Sequence, residues 1–522
     1  MQLPEFTLDH LLRNSAERNP SAIALIDGGR SFTFAELDTE AGKLAAALQA
    51  NGVKRGDRVG VLVEKSWESV VSIFGINRAA ATFVNLSPLL KADQITHIMN
   101  NCQVSLLIAD TSLLPDEPLP RVNAVFAHGE ETPGIAWAGA VVSLAEAMSA
   151  AKPVMQLSAK SSDLATIIYT SGSTGRPKGI MLTHTNAVAG AQIVNTYLEN
   201  SADDRVLCVL PFNFDAGLNQ LLTMIRIGGT AVLQRSLLPG DILKNLRDHS
   251  ITGLAGVPPL WAVLQQLRRS LEREPLTELR YVTNTGGMIP GAHLERLKEM
   301  LPHTNIFLMY GLTEAFRSTY LPPDQIHRGP SCIGKAIPDT DIWVVTPDGR
   351  EAAPGEVGEL VHRGPTVALG YWGDKEKTSS VYRPNPFAPK ETLDRDLVVY
   401  SGDLVTRDEE GYMYFVGRRD EQIKTEGYRV SPQEVEDLLC SSPDVHEAAV
   451  FGKKDPVLGH KIVAVVTLNG SKDGTAETIK HFCAEKAPHY MVPREIHILQ
   501  EMPRTSSGKM DRSTLKREYA EG

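Results

Sequence analysis

At 522 residues the chain is longer than one hydrophobic core usually grows, so a large domain with a smaller partner is expected. Hydrophobic residues at 42% and charged residues at 22% are those of an ordinary globular protein, and a formal net charge of −10 argues against nonspecific nucleic-acid binding. Five cysteines without Cys-x-x-Cys spacing offer no disulfide framework or thiolate metal site, and no apolar stretch is long enough to span a bilayer, so a cytoplasmic protein is expected.

In chain order, a helix beginning at Glu36 and ending at Asn51-Gly52 leads into a strand at Val59 to Val63. The same helix–strand rhythm returns at Trp67 to Leu86, Val104 to Ala109, Arg205 to Leu210 and Thr230 to Leu233, a pattern that means parallel sheets covered by helices. From Ile342 onward short strands separated by turns (TPDGRE, APGEVGEL, RDEEGYMYFVG) predict an antiparallel subdomain, and Arg383 to Lys390 reads as a Pro-rich loop. Past Gly417 a fresh α+β pattern starts, with helices at QEVEDLLCSSP and TAETIKHFCAEK and strands at HEAAVFG and HKIVAVVTL. The predicted class is α/β: a large N-terminal domain (1–419) of parallel-sheet subdomains plus an antiparallel β subdomain, then a small α+β C-terminal domain (420–522).

The segment Ile167 to His184, IIYTSGSTGRPKGIMLTH, carries the strongest chemical signal. Small residues let backbone N–H groups approach a polyphosphate, the hydroxyls of Thr170, Ser171, Ser173 and Thr174 add donors, and Lys178 adds charge. Gly172, Gly175 and Gly179 are read as supplying backbone angles other residues resist. Because Lys178 precedes its glycine, the loop is not a Walker A element. A solvated linker is disfavoured by the apolar flanks Ile167-Ile168-Tyr169 and Ile180-Met181-Leu182.

This string resembles the phosphate loop of the adenylate-forming superfamily: acyl-CoA synthetases, peptide-synthetase adenylation domains and luciferases. The resemblance extends along essentially the whole chain, from the lead-in TLDHLLRNSAERNPSAIALIDGGRSFTFAEL to the C-terminus. It implies an ATP- and Mg²⁺-dependent enzyme with a mobile C-terminal domain. In the block MYGLTEAFRS it implies that Tyr310 packs on adenine, Thr313 contacts the α-phosphate and Glu314 holds the metal. Asn284-Thr285-Gly286-Gly287 resembles the adenine-side loop. In YSGDL and GRRDEQIKTEGYRVSPQEVE it assigns Asp403 and Arg418 to the ribose, Asp420 to the hinge and Gly427 to the passage of a pantetheine arm. PRTSSGKMDR supplies the catalytic lysine, Lys509. No Ser-His-Asp or Cys-His arrangement and no His-Glu-x-x-His motif competes with this reading, and His184 is taken as part of the phosphate-loop block.

Aligning the remaining blocks gives a substrate pocket of Asp215, Ala216, Asn219, Gly256, Thr283, Thr285, Met309, Arg317 and Ser318. So polar a wall suits a small polar acid, either an amino acid or a carboxylate with a second charged group, better than an alkyl chain. Asp215 stands where amino-acid-activating relatives pair a carboxylate with the substrate amine, and it also reads as a helix cap. The blocks resemble both stand-alone acyl-CoA ligases found beside bacterial exopolysaccharide and protein-sorting systems and free-standing prolyl carrier-protein ligases. The acceptor therefore stays open between coenzyme A and a carrier-protein phosphopantetheine, with no fused carrier domain expected after Lys509. A luciferase-like oxidase shares the same blocks. A catalytically silent nucleotide-binding scaffold is disfavoured because Lys509, Glu314 and Asp403 are all present.

Overall fold

The computed structural model describes residues 6–521 apart from 115–120, 130–139, 152–158, 172–176, 390, 392–395, 420, 422, 426–427, 456–458, 471–473, 488 and 506–507. Local chemistry sets the early elements. Thr33 and Glu36 form a capping box, with Glu36 accepting the Thr33 N–H at 2.7 Å, so the helix Phe34–Ala50 starts two residues before the expected Glu36 and stops at Asn51. The strand Arg58–Leu62 and the helix Trp67–Arg78 follow as the periodicity predicts.

Two sheets form the large domain. The first has the order Ala140–Ser143, Ala124–His128, Val104–Asp110, Arg58–Leu62, Thr82–Asn85, Leu164–Ser171, Pro177–Thr183, and only the last pair is antiparallel. The second has a parallel core of Asn305–Tyr310, Tyr281–Asn284, Gly253–Gly256, Arg205–Cys208, Thr230–Leu233 and Ile23–Asp27. One buried cluster runs through Leu44, Phe74, Val188 and Leu218 and so joins the helices lying between the two sheets.

The second sheet continues beyond Asn305–Tyr310 as an antiparallel extension: Thr319–Leu321, Cys332–Ala336, Met413–Arg418, Leu397–Arg407, Gly358–Arg363 and Asp341–Val345. The switch to antiparallel pairing thus comes at Thr319, earlier than the expected Ile342, because a three-residue strand is too short to show alternation in sequence. The Pro-rich stretch is likewise not all loop: Tyr382–Pro384 pairs at the sheet edge with Leu397–Arg407, a position that tolerates proline. A separate five-stranded sheet contains Ile423–Thr425, Tyr428–Val430, Val445–Asp455, Gly459–Leu468 and Glu495–Leu499, with the helices Pro432–Cys440 and Ala476–Lys486 packed on it. The expected boundary residue, Asp420, falls in sequence between the two arrays and lies outside the described residues.

The parallel strands Gly253–Gly256, Tyr281–Asn284 and Asn305–Tyr310 end side by side. Crevices beyond the carboxyl ends of such strands are where open α/β sheets bind ligands.

Candidate active site

Thr170 and Lys178 face each other as Cα partners on the antiparallel hairpin Leu164–Ser171/Pro177–Thr183. The two flanks of the predicted phosphate loop are therefore paired strands, while Gly172, Ser173, Thr174 and Gly175 lie outside the described residues, as does the Ser171 side chain. Gly179 does not supply an unusual backbone angle; a Cβ there would sit 2.7 Å from the Ile167 side chain and 3.0 Å from the Tyr169 ring, so its role is close packing. His184, at the far end of the same block, is the first residue of the helix His184–Leu198. Its Nδ1 accepts the Leu8 N–H at 3.2 Å at the start of the first helix, and burial pushes its imidazole down to about 4.

Asp403 and Arg418 are Cα partners on neighbouring antiparallel strands, and their side chains pair at 2.9 Å. The Tyr310 phenol, at the end of Asn305–Tyr310, donates to the other Asp403 oxygen. Burial raises both groups, with the Arg418 guanidinium opposing the rise in Asp403. Three residues assigned to nucleoside binding thus converge from three strands. Beside them, Asn284 is held by the Trp261 indole N–H at 2.8 Å and donates to the Gly287 carbonyl at 2.9 Å, fixing the turn that contains Gly286.

Glu314 accepts a hydrogen bond from the Tyr371 phenol, and its backbone carbonyl takes the Ala368 N–H at 2.9 Å. Among the described residues no three His, Cys, Asp or Glu side chains come together as a metal cluster.

Lys509 reaches this crevice from the small domain. Its Nζ lies 4.5 Å from the centroid of the Phe214 ring, a cation–π contact, and its stem passes directly over Gly286. Burial pushes its ammonium down, Asp215 and Glu314 oppose the shift, and Arg317 adds to it. The loop that carries it is pinned by Arg504, which pairs with Glu447 at 2.7 Å, and by the Thr505 N–H on the Lys509 carbonyl at 2.7 Å. Just before Asp420, Arg419 pairs with Glu359 at 2.6 Å and donates its N–H to the Gly402 carbonyl at 2.8 Å. Gly427 lies outside the described residues.

A second contact accompanies the Lys509 docking. His293, on the helix Gly291–Met300 of the large domain, meets His446, on Val445–Asp455 of the small one, with ring centroids 5.7 Å apart. Burial first, then His446 and Arg296, push His293 from 6.5 down to about 4, with Glu447 opposing. The share of that depression owed to His446 exists only where the two domains meet, so their contact resists a proton that His293 takes up more readily without it. Docking is therefore unaffected above pH 6.5 and weakens as pH falls from 6.5 toward 4, by at most about 1.4 kcal/mol per pH unit. The expected result is a steeper acid-side fall for any step that needs Lys509 than for one that does not, flattened in His293→Gln. Parallel pH–rate profiles of wild type and variant check it.

The nine predicted pocket residues are all buried. Asp215 is the first residue of the helix Asp215–Ile227, whose N-cap is Phe214 without a side-chain cap bond, so the expected helix cap is not made; the Asp215 carboxylate accepts instead from the Ala216 N–H at 2.6 Å and the Thr313 hydroxyl at 3.3 Å. Gly256 leaves no free depth: a Cβ there would sit 2.6 Å from Leu260 and 2.7 Å from Trp261. Arg317 follows Phe316, whose φ of +53° is a left-handed conformation. The Phe316 ring packs over the helix His184–Leu198 at the spot left open by Gly190. Sequence reasoning missed Tyr371, the ring of Phe214 as a seat for Lys509, and the His293–His446 contact. The Gly-Tyr-Trp run at 370–372 marks an aromatic turn in the sequence, but nothing in it names Glu314 as the partner of Tyr371.

Comparison with known proteins agrees with this geometry. Residues 12–372 match the model of the AMP-binding enzyme family, and residues 434–509 match the AMP-binding enzyme C-terminal domain. The chain is 31% identical over 506 residues to a linear gramicidin synthase polypeptide of Brevibacillus parabrevis, covering 96% of this chain but only 9% of that much longer protein. It is 31% identical over 512 residues to feruloyl-CoA synthase of an Amycolatopsis species, covering 97% of each. An anthranilate CoA ligase solved with anthranoyl-AMP superposes with a TM-score of 0.88 at 26% identity, covering 99% of this chain and 98% of the other. With Tyr310, Asp403 and Arg418 converging from three strands and Lys509 lying over Gly286 on this fold, the chain belongs to the AMP-binding enzyme family of adenylate-forming ligases.

Proposed function

We propose that the protein activates a small carboxylic acid at the expense of ATP and passes it to a pantetheine thiol. A carboxylate oxygen attacks the α-phosphorus of ATP, the bond to the bridging oxygen breaks, and pyrophosphate leaves. The thiol, losing its proton, then attacks the acyl carbonyl of the adenylate, giving a thioester and AMP. The observation that carries this reading is the Lys509 ammonium lodged between Phe214 and Gly286, close enough to Asp215, Arg317 and Glu314 to feel their charges.

Carboxylate and α-phosphate repel each other as they approach, and a buried ammonium between them offsets that repulsion. At about 4 Å and an effective dielectric near 20, one such pair contributes on the order of 4 kcal/mol, roughly a thousandfold in rate. In this reading Tyr310 lies against adenine, Asp403 and Arg418 take the ribose hydroxyls, Thr170 to Thr174 with Lys178 cradle the phosphates, and Thr313 meets the α-phosphate. Glu314 fits Mg²⁺: it is a hard carboxylate, half-buried, with a single protein donor on its side chain among the described residues. Mg²⁺ sites commonly use only one or two protein carboxylates, so Glu314 would suffice as the protein's own ligand. The metal neutralises phosphate charge when bound.

The small domain then turns about Asp420, withdrawing Lys509 and presenting Gly427 to the thiol arm, so the water-sensitive mixed anhydride stays enclosed between steps. The pocket favours a small polar acid, because Gly256 is backed by Leu260 and Trp261 and the wall carries Asp215, Asn219 and Arg317. A second reading, an amino acid ligated to a carrier protein, rests on the likeness to a peptide synthase and on Asp215 beside the pocket. ATP–pyrophosphate exchange across amino acids, dicarboxylates, aryl acids and fatty acids tests the activity, and thioester formation with coenzyme A against a carrier protein tests the acceptor. Exchange with a short polar acid is expected. A decisive preference for octanoate or longer chains, with Asp215→Ala silent, overturns the pocket assignment.

A further inference from the structure

Arg317 is 6% exposed and has no carboxylate within ion-pair distance among the described residues. Its side-chain hydrogen bond is long, from Nη1 to the Thr285 hydroxyl at 3.5 Å, and its Nε has no partner among the described residues. The Asn219 amide nitrogen and the Ser318 hydroxyl are also buried without partners there. All three can donate, and a guanidinium and an amide NH₂ can only donate. Asp215, by contrast, already accepts two hydrogen bonds and is not paired with Arg317. Arg317 also lies near Tyr197, whose phenol contacts Met309 at 3.5 Å, so the guanidinium and the Met309 sulfur share one wall.

A guanidinium buried this deeply is costly unless an anion meets it. In that reading Lys509 already serves the attacking carboxylate, so what is missing is a second acceptor further along the substrate. Resting on the adenylation reading above, we propose that the acid carries a second anionic group, a short dicarboxylate in its simplest form, seated on Arg317 with Asn219 as a further donor. Leu260 and Trp261 behind Gly256, and the Phe316 ring over Gly190, keep that acid short. An amino acid with no second carboxylate leaves Arg317 unmet and asks Asp215 to take on another donor.

The test pairs binding with exchange. Malonate, succinate, glutarate and aspartate are compared with propionate, butyrate, valerate and alanine, by calorimetry in the presence of a non-hydrolysable ATP analogue and by ATP–pyrophosphate exchange. In wild type the best dianion should bind at least tenfold tighter than its matched monoanion, with roughly a hundredfold in exchange, since a pocket built to meet a polar group rejects an analogue without it. Arg317→Met should bring the binding ratio down toward one, and Arg317→Lys should keep part of it. Monoanions or alanine binding as tightly as the dianions overturn the proposal, as does an Arg317→Met variant that weakens both classes alike. Arg317-dependent dianion binding without exchange from any acid overturns the ligase reading and leaves the subsite standing. If the variants fail to fold, the wild-type panel alone decides.

Discussion

Lys509→Ala is expected to lower adenylate formation about a thousandfold, yet to leave thioester formation from preformed adenylate nearly intact, and Gly427→Leu is expected to do the reverse. The size follows from the charge removed: a single buried ammonium, seated over Phe214, must offset the repulsion of two anions in one step and has no part in the next. The selectivity follows from the geometry. Lys509 belongs to the small domain but sits among residues of the large one, so any rotation that admits a second substrate from the small-domain side carries the lysine out. Rapid-quench measurement of both half-reactions in both variants checks the division of labour, and equal loss of both half-reactions in each variant refutes it.

Regular elements and locally encoded chemistry were legible in the sequence, because each rests on neighbours a few residues apart. The capped helix Phe34–Ala50, the strands Arg58–Leu62 and Thr230–Leu233, and the helix Pro432–Cys440 fall where periodicity and end signals put them. The Asp403–Arg418 pair could be named from its motifs, although only the sheet register makes the two residues cross-strand partners. What escaped are contacts made across long separations in the chain: Glu314 with Tyr371, Lys509 with Phe214, His293 with His446. No local pattern encodes such pairs. Gly179 escaped for another reason, since a glycine chosen for close packing and one chosen for a left-handed turn look alike until φ is known.

Gly286 shows the second kind of glycine, and its replacement by alanine is expected to lower adenylate formation roughly tenfold to a hundredfold while costing the thioester step only the smaller backbone share. Its φ of +74° costs an L-residue on the order of 1 kcal/mol. A Cβ built there also lies 3.0 Å from the Lys509 ε-carbon and 3.1 Å from the Val257 side chain. The backbone cost applies in both halves of the cycle, but the collision with Lys509 exists only while the small domain is docked. A double-mutant cycle separates the two: once Lys509→Ala has removed the stem, Gly286→Ala should cost only its backbone share, so the two substitutions should be less than additive in adenylate formation. Simple additivity would mean that Gly286 acts on the nucleotide alone, and that the path of the lysine over this turn has no bearing on the rate.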